Sequence, residues 1–538
     1  MQIITQNLSY TVPSGRNLFR KLDFSLESGE KAALVGDNGS GKSTLLQLFT
    51  GALSPDSGSI RISDSHWYFP QHVSQLDNLT VAQVLQVQDK LEALDAIENG
   101  SAAPKHFEKL ANDWTIHNRL YQAVAKWGLS QITPQTPFKS LSGGQKTRVL
   151  IAGIALHQPK LILMDEPTNH LDTSVRNRLY RFIKNSNLTF LIVSHDRQLL
   201  NVCNPIYELS SLGIKKYGGN YDFYEQQKRI EMEAIEHQIH HTKQSISEAQ
   251  KNHRETMQRK QKLDARASKK ARQANLPKII ANAAKNSAEN SSSRLKDVHE
   301  EKIRGEKQHL RELKQKKRSL KNIKIRLDDS SLHTGKNLYE AKQVNYAWLD
   351  SNLLWDEPLS FIIQSGERIR FTGSNGSGKS TLLHLLNNDI KSTKGSLLIL
   401  SEHRLLMDQE YSLIDQNATV LEQAGSENQI KKPDHELKTL LHRNLFDETV
   451  WDQKCETLSG GEMMRLTLCC LSLQTNHPDT ILLDEPTNNL DLRNLKILTQ
   501  AISDYQGTLI VVSHDSYFIE EIGIDRELNL STSNIQNN

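Results

Sequence analysis

The sequence predicts an α/β protein in which two similar domains follow one another and are joined by a long antiparallel helical hairpin. Three observations support this fold class. One ordered set of motifs, most of them at the end of an apolar run, occurs twice in the chain. The region between the two copies has apolar residues at alternating intervals of three and four, which is typical of paired helices. A chain of 538 residues is also too long for a single hydrophobic core. We therefore predict domains over 1–222 and 329–538, with the hairpin over 223–328.

The first motif is a glycine-rich loop that begins at Gly36. It follows the apolar run 32–35 and precedes the helical pattern 45–49, so the order is strand, loop and helix. This G-x-x-x-x-G-K-S pattern is typical of a phosphate-binding loop, in which backbone N–H groups surround phosphate oxygens. Lys42 is predicted to reach the β- and γ-phosphates of a nucleotide, and the hydroxyl of Ser43 to ligate Mg²⁺. The same pattern recurs from Gly373. The nucleotide-binding candidates of the two loops are Gly36, Asn38, Gly39, Gly41, Lys42, Ser43 and Thr44, and Gly373, Asn375, Gly376, Gly378, Lys379, Ser380 and Thr381.

Aromatic residues and glutamines at predicted strands supply further candidates. Tyr10 lies in the strand pattern 8–12, where it can stack on adenine or, equally, face the core; Tyr346 is its counterpart in the second copy. Gln71 follows the aromatic strand end 67–70, and Gln409 stands at the same place in the second copy. A glutamine there can ligate Mg²⁺ or contact the attacking water, although a single glutamine would ordinarily be a surface residue.

A second glycine motif opens a helical pattern in each copy. Its sequence is Leu-Ser-Gly-Gly-Gln over 141–145 and Leu-Ser-Gly-Gly-Glu over 458–462. The glycines allow the N-terminus of the helix to approach a phosphate closely. The candidates in these two signatures are Ser142, Gly143, Gly144 and Gln145, and Ser459, Gly460, Gly461 and Glu462.

Charged and titratable side chains end two apolar strands in each copy. In the first copy, Asp165 and Glu166 follow the run 161–164, and His195 follows the run 190–193. The aspartate is suited to hold Mg²⁺ and the glutamate to polarise an attacking water as general base. The histidine is placed to sense the γ-phosphate. The second copy repeats these residues as Asp484, Glu485 and His514.

In this order the motifs resemble those of an ATP-binding cassette domain, and the resemblance covers most of the chain. It implies that the protein binds ATP and Mg²⁺ and hydrolyses ATP. It also implies that the two cassettes pair head to tail within one chain, so that each ATP lies on one phosphate loop and is covered by the other signature. Because neither copy lacks its glutamate or histidine, we expect both sites to hydrolyse ATP; Glu462 leaves their relative rates open. The two composite sites would join Lys42, Gln71, Glu166 and His195 to 459–461, and Lys379, Gln409, Glu485 and His514 to 142–144.

The spacing of corresponding residues shows that the copies differ in length. The offset is 338 residues from Gln71 to Gln409 but 317 from Leu141 to Leu458. The first copy therefore carries 21 additional residues between these motifs. We place them within 85–125, as a short helical insert with a turn over 99–101.

The segment 223–328 has the pattern of a basic helical hairpin. Pro277 interrupts the helical pattern, and we place an irregular tip near 274–293. Arms of about 40 residues would each be roughly 60 Å long. The segment contains 27 Lys and Arg against 14 Asp and Glu, a net charge of +13, whereas the remainder has a net charge of −10. This excess indicates a surface for a polyanion, although charged helix faces are often simply solvated. The seam positions are Met232, Ile235, Ile239, Thr242, Ile246 and Ala249 in one arm, and Leu310, Leu313, Leu320 and Leu327 in the other.

Composition favours a cytoplasmic protein. No apolar run approaches the roughly 20 residues that span a bilayer, and the N-terminus lacks the layout of a secretory signal. The four cysteines show no metal-ligand spacing, and we expect them to be buried thiols in a reducing compartment. They are Cys203, Cys455, Cys469 and Cys470.

Paired cassettes joined by a basic helical hairpin resemble the ABC-F family of translation factors and ribosome-protection proteins. In that family the linker resembles a probe that enters the ribosomal exit site toward the P-site tRNA and the peptidyl-transferase centre. The resemblance implies a monomer that contacts rRNA and tRNA through 223–328, with Pro277, Lys278 and Lys285 as contact candidates at the tip. By the same resemblance the short insert can be a reduced form of the family's arm, or equally a small helical elaboration of the surface. Only 24 residues follow His514, so we expect no extended basic C-terminal domain.

Two other functions fit the motifs. The chain can be the ATP-hydrolysing subunit of a membrane ABC transporter, or a DNA-associated ATPase that uses the hairpin as a clamp. Within the ABC-F hypothesis, the sequence does not separate a housekeeping translation factor from an antibiotic-resistance protein.

Overall fold

The computed structural model describes most of the chain, namely residues 2–13, 15–63, 65–169, 171–210, 212–273, 301, 303–314, 316, 325, 327, 332–348, 352–374, 376–475 and 477–530. The chain divides into two compact units. One unit combines 1–222 with 323–538, and the other spans 223–322. We call the described parts of the first unit the first cassette (2–222) and the second cassette (325–530), and the other unit the linker.

The first cassette contains nine strands in two sheets. The strands are β1 Ile3–Thr11, β2 Asn17–Leu26, β3 Lys31–Val35, β4 Ser57–Ile62, β5 His66–Phe69, β6 Leu161–Asp165, β7 Thr189–Val193, β8 Ile206–Ser210 and β9 Gly213–Tyr217. The larger sheet has the order β5-β6-β7-β3-β8-β9 and is parallel except for β9. The smaller sheet is antiparallel, with the order β2-β1-β4.

The second cassette repeats this layout with eight strands. They are β10 Asn337–Asn345, β11 Leu359–Gln364, β12 Arg368–Thr372, β13 Lys394–Ile399, β14 Arg404–Met407, β15 Thr480–Asp484, β16 Thr508–Val512 and β17 Arg526–Asn529. A parallel sheet has the order β14-β15-β16-β12-β17, and an antiparallel sheet has the order β11-β10-β13. The repeat of motifs in the sequence therefore corresponds to a repeat of the fold.

Helices cover the parallel sheets and begin at several of the motifs. In the first cassette they are α1 Lys42–Phe49, α2 Val81–Val84, α3 Gln88–Glu98, α4 Pro104–Leu110, α5 Ile116–Ala125, α6 Gly143–His157, α7 Thr173–Asn185 and α8 Arg197–Val202. The linker contains most of α9 Tyr221–Gln273, together with α10 over 303–314. In the second cassette they are α11 Lys379–Asn387, α12 Val420–Ser426, α13 Asp434–Arg443, α14 Gly460–Leu471, α15 Leu492–Asp504 and α16 Ser516–Ile522.

Buried parallel strands position the motifs. Every residue of β6, β7, β15 and β16 is buried. Parallel strands covered on both faces need continuous apolar runs, which explains the runs that precede the carboxylate and histidine motifs. Because β3, β6 and β7 are parallel neighbours, their carboxyl ends lie at one edge of the sheet. That edge carries the phosphate loop, the paired carboxylates and the histidine of the first copy.

The length difference between the copies is explained by two helices. The segment between α2 and α5 spans 85–115 and holds α3 and α4, whereas the segment between α12 and α13 spans only 427–433. The turn proposed at 99–101 lies between α3 and α4.

In the linker, α9 runs for 53 residues, a length of about 80 Å. The seam positions Ile239, Thr242, Ile246 and Leu313 are buried. The tip proposed near 274–293 lies outside the described residues, and the antiparallel hairpin stays a prediction.

Two further observations concern composition. All four cysteines are buried and free, as predicted. Within the described part of the chain, no helix has both the length and the apolar character that crossing a membrane requires.

Candidate nucleotide site

The phosphate loop of the first cassette holds its lysine by backbone contacts. Gly41 has a φ of 97°, a left-handed value that favours glycine, and a Cβ at this position would lie 2.8 Å from the ring of Phe19. Lys42 begins α1, and its Nζ donates to the carbonyl oxygens of Gly36 at 2.7 Å and Asp37 at 3.1 Å. An ammonium group has three donors, so one remains for a phosphate oxygen.

The second loop has the same arrangement. Lys379 donates from Nζ to the carbonyl oxygens of Gly373 at 3.0 Å and Ser374 at 2.9 Å. Gly378 has a φ of 86°, which again places a left-handed residue before the helix. Of the predicted loop residues, Asn375 lies outside the described part of the chain.

Oxygen ligands suited to Mg²⁺ meet beside the first loop. The hydroxyl of Ser43 donates to Oε1 of Gln71 at 3.5 Å. Both carboxylate oxygens of Asp165 are buried and have no hydrogen-bond partner among the described residues. Burial raises the pKa of Asp165. Hydroxyl, amide and carboxylate oxygens are the ligands that Mg²⁺ prefers, so these residues fit the ion. When bound, Mg²⁺ would neutralise charge on the phosphates.

The second cassette offers the same ligand types at Ser380, Gln409 and Asp484. Burial raises the pKa of Asp484, and a hydrogen bond from Ser380 opposes that shift. Gln409 is an exposed residue that follows β14.

The glutamate and histidine of the first cassette form a buried pair. Glu166 has a φ of 50°, an uncommon value for a residue with a side chain and one that a surrounding structure must enforce. Nε2 of His195 lies 3.5 Å from Oε1 of Glu166, and the backbone N–H of His195 donates to Oε2 at 3.4 Å. Burial raises the pKa of Glu166 to about 8, with the charge of Asp165 adding to the effect. Burial also lowers the pKa of His195 well below its usual value, so the ring is neutral at neutral pH.

The corresponding pair in the second cassette receives groups from the first cassette. Glu485 has a φ of 48°, and Nε2 of His514 lies 3.2 Å from its Oε1. Oγ1 of Thr173, at the start of α7, lies 3.1 Å from Nδ1 of His514. Burial raises the pKa of Glu485 to about 7, and the positive charge of Arg176, also in α7, opposes the shift. Burial and Arg176 together lower the pKa of His514 to about 4.

Each signature is the capped N-terminus of a helix. Oγ of Ser142 accepts from the backbone N–H of Gln145 at 3.3 Å, and Oε1 of Gln145 accepts from the backbone N–H of Ser142 at 2.9 Å. In the second signature, Oε2 of Glu462 accepts from the backbone N–H of Ser459 at 2.9 Å and from its hydroxyl at 2.7 Å. In α6 the capping is reciprocal and occupies the backbone N–H of Gln145, the third helical residue, whereas in α14 both of these bonds are donated by Ser459 to Glu462.

Residues of both cassettes line one cleft of about 560 Å³. The first cassette contributes its phosphate loop, carboxylates and histidine, and the second contributes the start of its signature helix. The structure therefore brings these predicted residues together across the two cassettes. Those lining the cleft are Asn38, Gly39, Gly41, Lys42, Ser43, Thr44, Gln71, Asp165, Glu166 and His195 from the first cassette, and Ser459 and Gly460 from the second.

Direct hydrogen bonds join the cassettes near this cleft and at a second place. The backbone N–H of Asn38 donates to Oδ2 of Asp491 at 2.8 Å. Farther away, α8 and α16 are joined by three polar contacts. These are Arg197 to Glu521 at 2.6 Å, Gln198 to Ser516 at 2.5 Å and Asn201 to Tyr517 at 2.6 Å.

Comparison with known proteins identifies the family. The family model described as "ABC transporter" matches residues 19–169 and 357–488. The chain is 31% identical to "ABC transporter F family member 5" of Arabidopsis thaliana, over 94% of this chain and 72% of that protein. The chain belongs to the ABC-F family. This ABC-F chain is also 32% identical to "Putative ATP-binding protein YdiF" of Bacillus subtilis, over 96% of this chain and 78% of that protein.

A solved structure supports the fold alone. It is titled "Crystal structure of the complex of archaeal ribosomal stalk protein aP1 and archaeal ribosome recycling factor aABCE1", with a TM-score of 0.57 and 17% identity, covering 97% of this chain and 87% of that chain. The domains of this ABC-F protein are ATPase domains, which use ATP, typically with Mg²⁺.

Some predicted residues of the ABC-F cassettes lie elsewhere. Tyr10 packs partly buried against the core of the first cassette, and Tyr346 packs partly buried against that of the second, where its ring meets Trp348 edge to face at 5.2 Å. Neither residue lines the cleft. Their stacking on adenine stays a prediction.

Sequence reasoning missed several residues that the structure places at the ABC-F sites. Asp491 was detectable, because Asp172 and Asp491 recur at the same offset of 319 residues as the glutamates. Thr173 and Arg176 gave no such signal, because Leu492 and Leu495 replace them in the second copy.

Proposed function

We propose that this ABC-F ATPase binds two ATP molecules between its cassettes and uses their closure to place the basic segment 223–328 on the ribosome, near the P-site tRNA and the peptidyl-transferase centre. The protein then acts in the cytoplasm as a monomer, either by modulating translation or by protecting the ribosome from antibiotics. The observation that carries the proposal is the cleft in which the phosphate loop at Lys42 meets the signature helix at Ser459 and Gly460.

In the first composite site, two helix N-termini face one anionic ligand. The N-termini of α1 and α14 each carry a positive dipole end, and Lys42 adds a full charge. A triphosphate that contacts both helices favours closure of the cassettes, because it gains contacts that neither cassette offers alone. Hydrolysis divides those phosphate charges and weakens the closed state.

The residues of this site divide the chemistry. Glu166 is placed to accept a proton from the attacking water, because its carboxyl group lines the cleft together with Lys42 and His195. Neutral His195, beside Glu166, is placed to contact the γ-phosphate. Ser43, Gln71 and Asp165 would hold Mg²⁺.

The second composite site follows by the same repeat. In this site the lysine of the phosphate loop is Lys379, the general base is Glu485, and the histidine that contacts the γ-phosphate is His514. The helix that covers the nucleotide begins at the signature residues 142–144. Ser380, Gln409 and Asp484 would hold the ion there.

Charge supports RNA as the partner of the linker. A net charge of +13 within 223–328, against −10 elsewhere, concentrates the positive potential on one segment. RNA helices are recognised largely through shape and phosphate contacts, which a basic helical surface can supply without reading a base sequence.

Trapping the ATP-bound state tests the proposal. The double variant Glu166→Gln and Glu485→Gln should bind ATP without hydrolysing it, and should then cosediment with purified ribosomes in ATP but not in ADP. The matched control, Lys42→Ala with Lys379→Ala, should not cosediment in either nucleotide. Absence of ATP-dependent cosedimentation contradicts the proposal. Recovery of the trapped protein with a membrane subunit favours the transporter hypothesis, and displacement of ribosomes by DNA favours the DNA-associated one.

A growth test separates the two roles on the ribosome. Expression of the chain with and without residues 274–293 should be compared in the presence of peptidyl-transferase inhibitors. Tolerance that depends on this segment indicates ribosome protection, and unchanged sensitivity indicates a housekeeping role.

A further inference from the structure

A side chain of the first cassette contacts His514, the histidine of the second cassette that is placed to sense the γ-phosphate. Oγ1 of Thr173 lies 3.1 Å from Nδ1 of His514, across 341 residues of sequence. The other ring nitrogen, Nε2, lies 3.2 Å from Oε1 of Glu485. Thr173, His514 and Glu485 therefore form a line that begins in one cassette and ends at the general base of the other.

The contact with Thr173 restrains the ring of His514. A threonine hydroxyl can donate a hydrogen bond to Nδ1 or accept one from it, so Thr173 pairs with either tautomer of the ring. Both carboxylate oxygens of Glu485 are buried without a hydrogen-bond partner among the described residues, so the orientation of the ring is held from the Nδ1 side. A group that pairs with Nδ1 restrains the rotation of the ring and therefore the direction in which Nε2 points.

The first cassette's own histidine lacks this contact. Glu166 and Glu485 differ by 319 positions, and the same offset places Leu492 at the position of Thr173. Leucine has no polar side-chain atom. Nδ1 of His195 is buried without a hydrogen-bond partner among the described residues, and its Nε2 lies farther from the glutamate, at 3.5 Å.

We propose that Thr173 is a positioning residue for ATP hydrolysis at the site of Lys379, Glu485 and His514, supplied by the opposite cassette, and that the two ATP sites are therefore unequal. The inference rests on the proposed function, in which both sites hydrolyse ATP. Hydrolysis at the second site then requires that α7 of the first cassette be in contact, so turnover there is tied directly to closure. Among the residues that the structure describes, Nδ1 of His195 at the first site has no hydrogen-bond partner.

The test isolates the second site in the full chain. In a Glu166→Gln background, the burst of phosphate from one turnover reports hydrolysis with Glu485 as the base. Thr173→Val keeps the size and branching of the side chain but removes the hydroxyl that contacts Nδ1. We expect its burst rate constant at saturating ATP to fall about tenfold, with the ATP concentration at half-maximal rate unchanged, because the lost group acts on the histidine and not on the nucleotide.

A rescue and a neighbouring control exclude a merely structural effect. Thr173→Ser retains the hydroxyl and should restore most of the rate. Ser174→Ala changes the next residue, whose hydroxyl donates to Oδ1 of Asp172 at 2.6 Å in its own cassette, and should leave the rate unchanged. Equal loss in Thr173→Val and Thr173→Ser, or no loss in either, overturns the inference while leaving the proposed function intact. A Glu166→Gln background without any burst overturns the proposed function, and this inference with it.

Discussion

The backbone N–H of Asn38, in the phosphate loop of the first cassette, donates a 2.8 Å hydrogen bond to Oδ2 of Asp491 in the second. The other oxygen of the same carboxylate, Oδ1, accepts from the backbone N–H of Asn494 at 2.8 Å and so caps α15. One side chain thus holds a helix of its own cassette and the nucleotide loop of the opposite cassette.

Removing that carboxylate should affect both stability and ATP binding. We expect Asp491→Ala to lower the free energy of unfolding by about 1 kcal/mol through loss of the helix cap, and to weaken ATP binding at the first site roughly tenfold through loss of a hydrogen bond to a charged acceptor. Chemical unfolding and ATP titration in the Lys379→Ala background measure the two effects. Asp491→Asn separates them, because asparagine caps a helix as well as aspartate but lacks the charge. Full ATP affinity in Asp491→Ala would show that the contact is incidental.

The one chemical difference between the two signatures predicts opposite effects of two reciprocal variants. Glu462 places a carboxylate at the start of α14, which lines the first site, whereas Gln145 places a neutral amide at the start of α6, the helix proposed to cover the second site. Glu462→Gln should tighten ATP binding at the first site, and Gln145→Glu should weaken it at the second. Each change should be about 1 kcal/mol, or roughly fivefold, because the added or removed charge lies near a triphosphate. Titrations in the Lys379→Ala and Lys42→Ala backgrounds read the first and second site separately. Shifts of the same sign in both variants would contradict this account.

Lowering the pH should destabilise the nucleotide-free protein, because His514 takes up a proton more readily in the unfolded chain than in the folded one. Its folded pKa is lowered to about 4 from the usual 6.5, mainly by burial. Below pH 6.5 the unfolded chain therefore takes up a proton that the folded chain does not. The free energy of unfolding then falls by roughly 1 kcal/mol per pH unit until the pH reaches the folded value.

The variant His514→Gln isolates this contribution. The difference in unfolding free energy between the wild type and His514→Gln should shrink as the pH is lowered from 7.5 to 5. If the difference in unfolding free energy between the wild type and His514→Gln does not change with pH, the protonation of His514 is not what destabilises the protein in acid.

The two cassettes pack the same helix and strand with residues of different size, which predicts two substitutions whose effects on stability compensate each other. Gly153 in α6 faces Trp67 in β5, and a Cβ at Gly153 would lie 2.3 Å from the indole ring. The equivalent residues of the second cassette are Cys470 and Leu405, by the offsets of 317 and 338. A larger residue on the helix is thus accompanied there by a smaller residue on the strand.

We expect Gly153→Ala to lower the free energy of unfolding by about 1–3 kcal/mol, because the core has no room for the methyl group. In the double variant with Trp67→Leu, the cost of Gly153→Ala should largely disappear. A double-mutant cycle from denaturant unfolding measures this coupling. Additive losses would show that the indole ring is not what excludes the side chain.

Much of the fold was predictable because local patterns report local structure. The apolar runs before Asp165 and Asp484 predicted buried strands, and the structure confirms both as β6 and β15. The glycine loop predicted a helix directly after it, which the structure has as α1 from Lys42, and the duplicated order of motifs predicted two cassettes. Each of these conclusions depends on neighbours in the chain or on a repeat of the whole pattern.

The sequence did not predict which side chains make direct contacts between the cassettes. The sequence alone determined that this protein has two nucleotide-binding cassettes, and it predicted residues for each half of a site. Only the tertiary structure decided that Asp491 holds Asn38, 453 residues away, and that Thr173 reaches His514 while Leu492 stands in its place in the other copy. The reason is physical: periodicity shows which face of a strand or helix is buried, whereas a contact between two surfaces depends on how the folded domains face one another, which leaves no periodic trace in either segment.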